Sequence, residues 1–172
     1  MKLLYKLLDD QFPYTKTTHK RACARGIILN DKNEICLLHV NGDDIFGHRD
    51  YYETPGGGVN QDETPEEAII RECKEEIGAI TEIIAEIGLV DDYYNLIGRN
   101  NLNYYYLLRV KGSCPKALEE YEKQIIENEL WVDIDKAIEL VDGCKPTPIS
   151  ILVKNRELPI YKLARDIIKN LS

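Results

Sequence analysis

GGVNQDETPEEAIIRECKEEIGA, residues 57–79, is the stretch on which the fold turns. Thr64-Pro65 opens a helix within it. Asp62 or Thr64 offers a capping oxygen, Pro65 suits the first turn, and Glu66 and Glu67 sit at the positive end of the dipole. Gly78 ends the helix as a residue free to turn left-handed. At about 100° per residue, Glu72, Glu75 and Glu76 share an arc of roughly 100°, beside an apolar arc of Ile69, Cys73 and Ile77.

These three acids are badly placed for helix stability. They occupy the last turns, where the dipole disfavours each anion by about 0.3–1 kcal/mol. Repulsion between neighbours three or four apart adds a few tenths of a kcal/mol, roughly, per pair. From Asp62 to Gly78 there are seven acids against two bases, Arg71 and Lys74. Two readings stay open, a solvated acidic helix and a divalent-cation site. The first explains Glu66 and Glu67, and the second explains Glu72, Glu75 and Glu76, because hard cations such as Mg²⁺ take oxygen ligands and share them with phosphates.

The same residues resemble the Nudix box, G-x5-E-x7-R-E-U-x-E-E-x-G-U, where U is aliphatic. Gly57, Glu63, Arg71, Glu72, Glu75, Glu76 and Gly78 fill all seven specified positions. Cys73 and Ala79 stand at the U positions, Cys73 as a small apolar substitute. The resemblance implies a Nudix fold, an α+β (α/β/α) sandwich with a mixed β-sheet between helices. It also implies a hydrolase that attacks a phosphoanhydride bond with water, using Mg²⁺ or Mn²⁺. Glu72, Glu75 and Glu76 would then be catalytic, metal-binding carboxylates, with the carbonyl of Gly57 as a further ligand. Glu63, Arg71 and Gly78 would brace the box. Glu72 matches the base of some family members, and others take one from a distant loop, for which Glu127 and Glu129 are the candidates here.

Outward from the box, 21–29 (RACARGIIL) and 34–40 (EICLLHV) flank the turn Asn30-Asp31-Lys32-Asn33 and predict a β-hairpin. A polar loop is expected at 41–50 and another at 91–101, with strands at 81–90 and 102–110. A short strand at 130–132, a helix at 134–142 and a final helix at 159–170 complete the reading as one domain over residues 1–172. Substrate contacts are expected from Arg21, Arg25, His48, Arg49, Tyr94 and Arg99. Tyr93, Tyr94 and Tyr104 to Tyr106 offer either a stacking surface or half-core packing.

A net charge of −8 argues against a nucleic-acid polymer as partner, since phosphate backbones are gripped by basic surface. It leaves room for a small nucleotide-like diphosphate held through a cation. Five cysteines without CxxC spacing read as reduced thiols, and the leucines of residues 1–10 are too few for a leader or membrane span. A cytoplasmic protein, possible as a homodimer, is the expectation. The stretch 90–100, VDDYYNLIGRN, lacks the proline of many ADP-ribose hydrolases. Nucleoside triphosphates, including oxidised ones, are therefore expected ahead of dinucleoside polyphosphates and nucleotide sugars. Two rivals remain: a non-catalytic nucleotide-sensing module, which commonly loses box glutamates, and an isopentenyl-diphosphate-isomerase-like enzyme. The latter would need a cysteine in a histidine-rich setting, and Cys23 and Cys36 have only His39 nearby.

Overall fold

The structure, a computed structural model, describes residues 1–171. Its centre is a mixed eight-stranded sheet built on the path β1-β6-β7-β2-β3-β4, where β1 is Leu3–Leu7, β2 His19–Leu29, β3 Ile35–Asp44, β4 Gly47–Glu53, β6 Ala79–Tyr94 and β7 Arg99–Ser113. β1 runs parallel to β6, and β2 runs parallel to β7 along its whole length.

The turn at Asn30–Asn33 forms as the sequence predicts, with Asn33 at φ 60° and Asn30 N donating to Glu34 O at 3.0 Å. The expected hairpin does not continue beyond it. Only Leu29 and Ile35 pair across β2 and β3, because the strands then splay apart. The gap is filled by β5 (Gly56–Gly58), whose glycines pair with Cys23 to Arg25 of β2, and on the far side β8 (Ile126–Val132) pairs with β3. This splay brings the start of the box onto the central strand. It is the structural event that builds the site.

Helix α1 (Pro65–Ile77) carries the capping box. Thr64 Oγ1 accepts from Glu67 N at 3.2 Å, Glu67 Oε2 accepts from Thr64 N at 2.8 Å, and Gly78 closes the helix at φ 64°. Its apolar arc, Ala68, Ile69, Cys73 and Ile77, packs on Ile28, Cys36, Tyr106 and Leu108 on one sheet face. α3 (Ile134–Asp142) and α4 (Pro148–Leu171) cover the other face, setting Ala137, Val141, Ile160 and Ala164 against Ile27, Leu37 and Leu107. The α+β layering inferred from the box is therefore observed.

Several boundaries differ from the sequence reading. The loop expected at 41–50 is a hairpin of β3 and β4, paired from Leu38–Glu53 to Asp44–Gly47. The loop expected at 91–101 is mostly strand, with a 3₁₀ turn at Asn95–Ile97. The last helix begins at Pro148 rather than near 159 and carries Pro159 inside it. A six-residue helix, α2 (Glu120–Ile125), has no counterpart in the sequence reading. No helix among the described residues is long and apolar enough to cross a membrane.

Candidate functional site

The box helix delivers its acids inward. Glu72 is 6% and Glu76 5% exposed, which removes the solvated-face reading for both. Glu76 Oε2 accepts from Gly56 N at 2.7 Å. Burial, then the nearby Glu72, pushes the Glu76 carboxyl well above the ordinary range. Glu72 is raised too, chiefly by burial, although Arg71 beside it pulls the other way.

Arg71 fixes the loop to the helix. Its Nη2 donates to Glu63 Oε1 at 2.6 Å and to Gly58 O at 3.0 Å, while Nη1 reaches Glu72 Oε1 at 2.8 Å and Glu75 Oε2 at 2.9 Å. These bonds hold the Glu63 carboxyl below its usual range.

The carboxylates that gather are Glu72, Glu76 and Glu122, with one oxygen of each within 4.8 Å of the others. Glu75 is not in this group and is turned to Arg71. Glu122, on α2, comes from far along the chain, and its Oε2 also accepts from Glu119 N at 2.7 Å. Two buried carboxylates crowded with a third, with Arg71 paired to Glu72 alone among the three, fit a hard divalent cation. Mg²⁺ or Mn²⁺ takes such oxygen ligands, and Glu72, Glu76 and Glu122 would hold it.

Beside the cluster lies a cavity of about 330 Å³. Glu53, Glu76, Glu119 and Glu122 line it, and so do Arg21, Arg25, Arg99 and Arg156, with Tyr94 and Asn101. Two of the arginines are already neutralised. Arg25 bonds Asn103 at 2.9 Å and faces Glu53 at 3.8 Å, while Arg156 meets Glu53 at 3.1 Å, Glu157 at 3.0 Å and Tyr94 Oη at 2.8 Å. Arg21 and Arg99 contact no carboxylate among the described residues. Burial, with Arg21 adding to it, lowers the Arg99 pKa. Burial pushes the Tyr94 phenol up to about 12.

Other expected contacts fall elsewhere. His48 is exposed and pairs with Asp43 at 3.0 Å, outside the cavity. Arg49 is held by Asp44 at 2.6 Å and lines a small neighbouring recess that also contains Arg99 and Arg156. Glu127 bonds His39 at 2.8 Å and Glu129 bonds Lys116 at 2.8 Å, and neither lines the cavity. Tyr105 and Tyr106 are core, tied to Glu157 at 2.6 Å and Glu66 at 2.8 Å, so the triplet is no stacking platform. Glu53, Asp92, Asn101, Glu119, Glu122 and Arg156 were not anticipated. The chain gives no local spacing that marks them.

Gly57 leaves no room for a side chain beside the cluster. A Cβ there would collide with Glu72 Oε1. Gly57→Ala is therefore expected to push Glu72 off the cluster, lowering kcat/KM about tenfold or more while the melting temperature stays near that of the wild type. A titration of turnover against Mg²⁺ checks it. An unchanged metal requirement would contradict the close approach.

The NUDIX domain family model matches residues 19–149. Over 59 residues, 34% of this chain, the sequence is 41% identical to the 8-oxo-dGTP diphosphatase of Escherichia coli (strain K12). That match spans 44% of the relative, less than half its length. Among solved structures, a NUDIX hydrolase from Nitrosomonas europaea superposes with a TM-score of 0.60 at 18% identity, over 77% of this chain and 84% of that one. A C. elegans Ap4A hydrolase binary complex gives a TM-score of 0.60 at 16% identity, over 87% and 98%. At these identities the superpositions speak for the fold alone.

Proposed function

Because the chain belongs to the NUDIX family, we propose that it is a metal-dependent hydrolase that cleaves a phosphoanhydride bond in a nucleotide, a nucleoside triphosphate or its oxidised form first among them. The observation that carries this reading is the joining of opposites in one cavity. Glu76 and Glu122 of the three convergent carboxylates line it, and so do Arg21 and Arg99, which meet no carboxylate among the described residues. A polyphosphate bridges such a site, with a cation on one stretch of its charge and arginine on another. The printed activity of the Escherichia coli relative, on 8-oxo-dGTP, lies in the same class of nucleotide anhydrides.

When bound, the cation neutralises charge on the diphosphate and lowers the pKa of a water. The chain's own residues do the rest. Gly56 N–H and Arg71 hold Glu76 and Glu72 at fixed angles, so the cluster is organised before substrate arrives. Arg21 draws the anionic chain along the cavity and restrains it for in-line attack at phosphorus. The P–O bond to the departing phosphate or pyrophosphate breaks as the water oxygen bonds to phosphorus. A carboxylate of the cluster accepts the proton.

The test is a panel of nucleoside triphosphates, dinucleoside polyphosphates and a nucleotide sugar, incubated with Mg²⁺ and resolved by product. Nucleoside monophosphate plus pyrophosphate from a triphosphate is the expected outcome. No product from any member, at micromolar enzyme, would end the hydrolase reading and favour a sensing module. In the same assay, Glu122→Gln is expected to lower turnover about 10²-fold or more, whereas Glu127→Gln and Glu129→Gln stay within about twofold of wild type. Equal losses at all three positions would remove Glu122 from the site.

A further inference from the structure

Two atoms on β7 stand outside the dense bonding around the cavity. Arg99 Nε and Asn101 Oδ1 are buried and meet no hydrogen-bond partner among the described residues. Buried groups of this kind are expensive to leave unmade. Both residues line the same cavity, and as i and i+2 on a strand they share one face. A cationic donor and a neutral acceptor therefore stand side by side.

The acceptor cannot turn into a donor. Asn101 is 3% exposed, and its Nδ2 donates to Asp92 Oδ1 at 3.1 Å. Asp92 also takes Asn103 Nδ2 at 3.1 Å and faces Arg156 at 3.6 Å. Reversing the Asn101 amide would set its oxygen against a carboxylate oxygen, so the oxygen stays the unpartnered end of the amide. On the donor side, the Arg99 guanidinium lies 5.8 Å from the centre of the Tyr94 ring and has no carboxylate of its own.

Resting on the nucleotide reading above, we propose that Arg99 and Asn101 read the nucleobase and select keto bases, guanine first and uracil or thymine next. The edge of guanine runs N7, O6, N1–H, two acceptors followed by a donor. The guanidinium takes the acceptors and the amide oxygen takes N1–H. Uracil and thymine offer O4 beside N3–H. Adenine and cytosine place an amino group where the positive charge stands, so they are refused. Asp92 is a positioning residue, acting only through the orientation of Asn101.

Calorimetric binding of GMP, UMP, AMP and CMP to the metal-free protein tests this without any turnover. GMP and UMP are expected to bind roughly tenfold or more tightly than AMP and CMP. Asn101→Leu brings the ratio close to one. Asp92→Asn, which frees the amide to turn, lowers it too, with circular dichroism confirming the fold. Should Asp92→Asn unfold, Asn101→Leu decides alone. Equal affinities, no binding of any of the four, or a preference that survives Asn101→Leu would overturn the proposal. Equal kcat/KM on all four triphosphates alongside equal monophosphate binding would overturn it and leave the hydrolase standing. Keto-selective binding without hydrolysis of any triphosphate would do the reverse.

Discussion

Glu76→Gln is expected to lower turnover by a factor on the order of 10³ and, without metal, to raise the melting temperature. Both effects come from one carboxylate. In the folded chain Glu76 is buried, and burial together with Glu72 raises its pKa well above 4.5. The sign follows. Below pH about 4.5 the group is protonated in both the folded and unfolded chain and costs nothing extra. As pH climbs from there towards the raised folded value, the unfolded chain releases the proton more readily and stability is lost. Glutamine stays neutral and can still accept from Gly56 N–H, so this loss disappears. At neutral pH the metal-free variant should melt a few degrees higher, at about 2–4 °C per kcal/mol for a chain of this size. Melting curves of both proteins from pH 4 to 8 check it, and the gap should widen with pH. A variant that melts lower than wild type at pH 7, or a gap that narrows, would contradict the crowding of charge at the cluster.

Arg156→Met is expected to destabilise the fold by about 3–5 kcal/mol, the usual result of removing one member of a buried charge network. Arg156 is 2% exposed and Glu157 is fully buried beside it. Its guanidinium also reaches Glu53, Asp92 and the Tyr94 hydroxyl. Methionine fills part of the space but leaves Asp92 and Glu157 without their cation and Glu53 with Arg25 alone, at 3.8 Å. Tyr105 Oη at 2.6 Å and Thr54 N at 3.1 Å still hold Glu157, so the damage spreads mainly through Glu53 and Asp92. Arg156→Lys should recover only part of the loss, because one ammonium cannot reproduce a planar fork serving four partners. Urea unfolding measures both variants. An unfolding free energy within about 1 kcal/mol of wild type for Arg156→Met would mean that water, not Arg156, balances these charges.

The box was legible because its chemistry is local. Thr64, Glu67 and Gly78 write the ends of the helix, and the spacing of Arg71, Glu72, Glu75 and Glu76 follows from helix geometry. Which two of the three late glutamates point inward was not legible, because it depends on how α1 leans on the sheet. Glu122 was missed for a different reason. It sits on a helix too short to show periodicity, and only the fold brings it to Glu72. The expected outside carboxylates, Glu127 and Glu129, lie on β8 and are taken by His39 and Lys116. The strand ends within 91–101 were hidden by their polar side chains. Asp92, Asn100, Asn101 and Asn103 are polar yet buried, so the alternation that betrays a strand is absent where β6 and β7 pass the cavity. Arg156 lies ahead of the helix expected at 159–170, and it enters the site only because α4 starts at Pro148.

The most direct measurement is an anomalous difference map from crystals grown in Mn²⁺. A peak between the Glu72, Glu76 and Glu122 carboxylates, lost in Glu76→Gln, is the predicted result. Fully ordered side chains with no peak between them, at saturating Mn²⁺, would contradict the account.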